Sequence, residues 1–126
     1  MVRARTAGFT LIELLVVMAI VATLLALTLP RYFGSVEASK ETVLMENLRT
    51  TRDAIDKFFG DNGRYPDSLD ELVGKRYLRS APFDPVTESS TAWTIVAPPA
   101  TDKGKVYDLK SSATGKARDG RALSDF

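Results

Sequence analysis

Apolar residues crowd into one run near the start of the chain and are spaced out after it. From Phe9 to Leu29 (FTLIELLVVMAIVATLLALTL) a single charge, Glu13, interrupts them. As a helix rising ~1.5 Å per residue, that run spans about 30 Å, the thickness of a bilayer's hydrocarbon core. Past Pro30 the pattern takes on helical period. Val36, Val43, Leu44, Leu48, Ile55, Phe58 and Phe59 fall at steps of three, four or seven, with Thr51 on the same stripe. Glu37, Lys40, Glu41, Glu46, Arg49, Arg52, Asp53, Asp56 and Lys57 fill the other face. Arg49–Asp53 and Arg52–Asp56 are spaced for i,i+4 ion pairs worth only a few tenths of a kcal/mol, and a solvated face is the favoured reading. Pro30 removes one hydrogen bond and is expected to kink or locally unwind the helix. Gly60 is its expected stop, followed by the turn Asp61-Asn62-Gly63. The pattern thus predicts a spine helix from Phe9 to Phe59, roughly 75 Å long, whose first half has no core of its own.

Shorter elements follow. Ser68-Leu69-Asp70-Glu71 reads as a capping box opening a short helix that Gly74 ends. Ala81-Pro82-Phe83-Asp84-Pro85 is a stiff extended connector, because proline restricts the residue before it as well as itself. Thr91 to Val96 has the β-branched and aromatic content of a strand. Lys105 to Leu109 alternates in the same sense and is its expected hairpin partner, across a loop around Asp102-Lys103-Gly104. Trp93, Ile95, Val106, Tyr107 and Leu109 are expected to cover the helix stripe, with Trp93, Tyr107, Phe83 and Tyr77 as core aromatics. Ser111 to Phe126 reads as loop. The predicted class is α+β: a long N-terminal spine helix, transmembrane in its first half, with a small antiparallel β-sheet head.

Composition narrows the chemistry. The 126 residues include no Cys and no His, which removes the thiolate nucleophile, the commonest general base and the commonest metal ligands. Without Arg3 and Arg5 the basic residues, and without Glu13 the acidic ones, are equal in number from Arg31 onward. Nucleic acid is therefore disfavoured as a partner, and the clusters Lys75-Arg76-Arg79 and Lys116-Arg118-Arg121 are the only candidates for it. Arg3 and Arg5 precede the apolar run and no acid accompanies them. The positive-inside rule then places the N-terminus in the cytoplasm and the head across the membrane. A secretory signal peptide would have a shorter apolar region and a better small-x-small site than Ala26-Leu27-Thr28. A plain anchor explains the length but not Glu13, since a carboxylate at the centre of a spanning helix costs ~2.5–3.5 kcal/mol.

All these features meet in one pattern. The basic leader, Gly8, then Phe9-Thr10-Leu11-Ile12-Glu13 and the apolar run to Pro30 resemble the class III signal of type IV pilins and type II secretion pseudopilins. Asp61-Asn62-Gly63-Arg64-Tyr65-Pro66 resembles the turn after the long helix in major pseudopilins. The resemblance implies a leader over residues 1–8, cut between Gly8 and Phe9 by a prepilin peptidase that then N-methylates Phe9. It implies a membrane and filament-core helix over 9–30, an amphipathic half over 31–59, and a head over 60–126 with a C-terminal loop. The mature subunit would be stored in the inner membrane among lipid, as a single-pass protein. With other pseudopilins and an inner-membrane assembly platform, it would build a homo-oligomeric filament with periplasmic heads. Glu13 would pair with the new α-amino group of Phe9 on a neighbour, since a buried carboxylate is compensated by a buried cation.

The same resemblance raises calcium, which major pseudopilins bind in a C-terminal loop. Asp119, Asp125 and Ser112 are the candidate oxygen donors. No acid stands at Ala113-Thr114-Gly115, where the family loop has one, and Lys116, Arg118 and Arg121 crowd the stretch. A turn held by Asp119 and Gly120 is the competing reading, and no cofactor is required. The function implied is that of a non-enzymatic subunit of a type II secretion pseudopilus. The alternative is a type IV pilus subunit or minor pilin with an adhesion or DNA-uptake role. The absence of cysteine favours the first, because many pilus subunits close their C-terminal loop with a disulfide.

Overall fold

The computed structural model describes residues 8–100 and 102–126; the leader expected over 1–8 lies, Gly8 apart, outside the described residues. Two helices, α1 (Leu11–Asn62) and α2 (Leu69–Gly74), precede two strands, β1 (Trp93–Val96) and β2 (Asp108–Ser111), and a 3-10 turn (Leu123–Asp125). The chain divides into two compact units between Glu37 and Ala38. The α+β class is as expected from the pattern.

In the first unit every described side chain from residue 8 to 35 is exposed, with Leu11 at 76% and Leu27 at 69%. Among the described residues nothing covers these side chains. Helix α1 is long and apolar enough to cross a membrane, and the two threonines inside its apolar run are satisfied within it. Thr23 Oγ1 donates to Ala19 O at 2.8 Å and Thr28 Oγ1 to Leu24 O at 2.5 Å, so neither hydroxyl needs water. The helix continues through Pro30 without interruption.

The second unit has its own core. Leu44, Leu48, Thr51, Ala54, Ile55 and Phe58 of α1 are buried, while Val43 and Phe59, read as part of the stripe, are 46% and 37% exposed. Leu72 of α2, Trp93, Val106 and Leu109 pack against them, as do Ala113, Ala117, Leu123 and Phe126. The segment read as loop therefore supplies four core residues. It is organised by a Lys116–Ala122 bridge and by the 3-10 turn. Trp93 is the expected core aromatic, its indole N–H donating to Pro82 O at 2.9 Å. Phe83 and Tyr107, each 45% exposed, and Ile95, at 43%, are not core residues. Tyr77 packs edge-on against Phe58, and Asp61, accepting its hydroxyl proton at 2.7 Å, raises the phenol above its ordinary pKa.

Several details differ from the sequence reading. Helix α1 runs past Gly60 to Asn62 and closes at Gly63, whose φ of +69° suits glycine and whose N–H donates to Phe59 O at 2.8 Å. Strand β2 pairs with β1 in antiparallel register, Trp93 opposite Ser111 and Val96 opposite Asp108, starting later than Lys105. The cause is a competing partner: Lys105 and Val106 donate to Pro66 O, and Tyr65 donates to Lys103 O. Finally, Arg52 pairs with Asp108 at 2.7 Å, and among the described residues neither i,i+4 pair on α1 forms. Helix α2 is as read, with Ser68 Oγ accepting from Glu71 N at 3.3 Å. Glu71's own carboxylate turns to Arg64, at 2.8 Å, and not back to the cap.

Candidate processing and assembly site

Gly8, Phe9 and Thr10 precede α1 in non-helical, exposed backbone, and Phe9 is 85% exposed. Among the described residues, its chain neighbours apart, no atom lies within 4 Å of where a Cβ on Gly8 would stand. The bond between Gly8 and Phe9 stands two residues ahead of the helix. Thr10 is the helix cap. Its carbonyl accepts from Leu14 N at 3.1 Å, and its hydroxyl accepts from Glu13 N at 3.2 Å. Glu13 returns the interaction, Oε2 accepting from Thr10 N at 3.3 Å. This reciprocal arrangement satisfies two of the amide groups that a helix start leaves without partners. It also sets the carboxylate at the positive end of the helix dipole. The Thr-x-x-Glu spacing that signals a capping box stands in the sequence, but the apolar run on either side draws attention to the cost of the charge instead.

The donors considered for calcium are arranged otherwise. Ser112 Oγ donates to Ala92 O at 2.5 Å, tying it to the residue before β1. Both Asp119 oxygens accept from Arg121, Oδ1 from its backbone N–H at 3.0 Å and Oδ2 from Nε at 2.8 Å. Those contacts hold the Asp119 carboxyl below its ordinary pKa, the backbone hydrogen bond contributing most. Asp125 lies in the 3-10 turn and lines an open groove of about 610 Å³ with Arg49, Arg52, Arg121 and Met45. Among the described residues no three acidic side chains gather in a way that could hold a metal ion. Of the candidate donors, the Asp119 carboxylate is already matched by a guanidinium and the Ser112 hydroxyl by a main-chain carbonyl.

Of the basic clusters, Arg121 is committed to Asp119, and Lys75 Nζ lies over the Phe58 ring at 5.4 Å. Neither cluster presents an unbroken basic face.

Residues 3–29, which include Gly8, Phe9 and Glu13, match the prokaryotic N-terminal methylation motif. The type II secretion system core protein G of Pseudomonas aeruginosa is 33% identical over 101 residues, which cover 68% of this chain and 71% of that protein. The chain belongs to the core protein G family of pseudopilins. The core protein G of Aeromonas hydrophila is 35% identical over 78 residues, covering 60% of this chain and 54% of that protein, so the chain spans about half of that relative. The type IV major pilin protein PilA of Myxococcus xanthus is 37% identical over 68 residues, covering 54% of this chain but 31% of the pilin. No solved structure matches with significance. Within the described residues, the methylation motif thus coincides with exposed residues 8–10 and the capped start of α1.

Proposed function

We propose that this pseudopilin is a structural subunit of a type II secretion pseudopilus, without enzymatic activity of its own. The observation that carries the proposal is the apolar first half of α1, exposed on all sides and opening one residue after Thr10, just past the Gly8–Phe9 bond. Such a surface is stable only in lipid or against copies of itself. Prepilin peptidase cuts the leader at the cytoplasmic face and methylates Phe9, and the subunit waits in the inner membrane with its head in the periplasm. Extraction onto the assembly platform then exchanges lipid contacts for contacts with neighbouring helices. Glu13 pairs there with the Phe9 α-amino group of an adjacent subunit, which exists only after cleavage. That ordering keeps uncut precursors out of the filament.

The test is made on the chain purified from its own membrane. Mass spectrometry should find an N-methylated Phe9 as the first residue, and Gly8→Val should accumulate as uncut protein. A chain beginning at Met1, or beyond Ala26, overturns the processing. In cells lacking the subunit, export of folded proteins should fail while surface pili persist. Loss of pili, adhesion or DNA uptake with export intact would make it a type IV pilus subunit instead.

A further inference from the structure

We propose that a guanidinium takes the place of a divalent cation in ordering the C-terminal loop of this chain, so that the head holds its fold without calcium. Arg52 leaves α1 one turn beyond Leu48, and its side chain ends among three oxygens. Nε donates to Asp108 Oδ1 at 2.7 Å, while Nη2 donates to the main-chain oxygens of Leu109 at 3.0 Å and Phe126 at 2.7 Å. One carboxylate and two main-chain oxygens are donor types that calcium selects. Here they are disposed around a planar fork of N–H groups, which binds oxygens by direction and not by radius.

These bonds join parts of the chain far apart in sequence: α1, β2 and the last turn. They also close over buried surface. Phe126 is 8% exposed, and the Arg121 guanidinium lies 4.6 Å from the centre of its ring. Arg121 in turn matches both oxygens of Asp119, and Arg118 N donates to Glu41 Oε2 at 3.2 Å, fastening the intervening loop to α1. A calcium ion at Asp119 would have to displace Arg121 and then stand beside its freed charge. Like charges so close repel even in a solvent-screened setting. The arginines and a calcium ion are therefore alternatives for this loop, and the sequence has supplied the arginines.

The experiment uses the full chain in detergent micelles, freed of metal, with thermal unfolding followed in added calcium and in EGTA. The two midpoints should coincide, and protease cleavage within residues 112–126 should be equally slow in both. Arg52→Met keeps the stem without the N–H groups. Its midpoint should fall by roughly 5–15 °C and the loop should open to cleavage, calcium restoring neither. Arg52→Lys keeps the charge without the fork and should fall between. A midpoint raised by calcium and lowered again by EGTA in the unaltered chain overturns the proposal with no variant needed. An Arg52→Met chain as stable and as protected as the parent overturns it too. Should Arg52→Met fail to fold, Asp108→Asn serves instead: a lower midpoint is expected, and an unchanged one rejects the clasp.

Discussion

Thr10 and Glu13 exchange hydrogen bonds at the start of α1, 3.3 Å from Thr10 N to Glu13 Oε2 and 3.2 Å from Glu13 N to Thr10 Oγ1. A cap of this kind contributes about 0.5–2 kcal/mol, and an acid in the first turn costs less than the ~2.5–3.5 kcal/mol charged at a bilayer centre. The two are comparable, so capping alone accounts for how Glu13 is tolerated. Assembly has to be tested by a change that keeps the cap, and Glu13→Gln does so because glutamine also serves at that position. It should insert and be cleaved like the parent, yet give few filaments at matched levels of processed subunit. Normal filament yield would leave Glu13 as a cap and nothing more. Gly104 bears a different constraint: at φ +99° a Cβ would stand 2.1 Å from Tyr65 O. Gly104→Ala should cost about 2–4 kcal/mol, read as a lower thermal midpoint, because backbone must move to admit the methyl. At Asp119 the carboxyl is held below its ordinary value by Arg121, first through the backbone N–H. A depressed carboxyl adds stability above its unfolded pKa, near 4, and that stability is lost as pH falls through the folded value. An NMR titration should place the Asp119 midpoint below that of an ordinary aspartate, and Arg121→Ala should bring it only part of the way back, because the backbone N–H that contributes most remains.

The two glycines at the end of α1 make opposite demands. Gly60 sits in the helix and Gly63 just beyond it at φ +69°, and neither has an atom within 4 Å of a would-be Cβ. Gly60→Ala should therefore stabilise by about 0.5–1 kcal/mol, through helix propensity. Gly63→Ala should destabilise by about 1–2 kcal/mol, because only glycine enters the left-handed region freely. Thermal midpoints moving in the same direction would place the helix end elsewhere. Helix existence was legible because a stripe such as Leu44, Leu48, Ile55 and Phe58 repeats over many turns; its end was not, since two glycines and an Asn-Gly pair compete within four residues. Strand β2 was found but misplaced for a tertiary reason. Val106 alternates like a strand residue, yet its N–H goes to Pro66 O, a partner forty residues away that no local pattern announces. The tail hid its core residues because Ala113 and Ala117 are small, and Leu123 and Phe126 stand singly among polar neighbours.

Across the whole chain, the N-terminal motif was legible because its pattern is local: Gly8, Phe9 and Glu13 stand within a few residues of one another. Arg52 was not, because its three acceptors lie on β2 and at Phe126, and from sequence it looked like one more charge on a solvated face. The division between Glu37 and Ala38 bears on how the chain can be handled. Every member of the buried apolar cluster comes from Leu44 or later, and the stripe of α1 is covered by Leu72, Trp93, Leu109 and Phe126 of the same chain. The first unit contributes none of them, and its apolar side chains from Leu11 to Leu29 are exposed. Cutting ahead of Arg31 thus removes the surface that requires lipid and leaves the core intact. A fragment of residues 31–126 should be soluble and monomeric by sedimentation. It should unfold in urea in one cooperative transition, with a free energy of about 5–15 kcal/mol. Arg52→Met in that fragment should lower the urea midpoint at unchanged slope, since the clasp lies wholly within it. The opposite result is equally readable. A fragment that aggregates, or melts without cooperativity while binding hydrophobic dye, would show that the head depends on the membrane helix. Storage in the membrane and folding of the head would then be one event and not two.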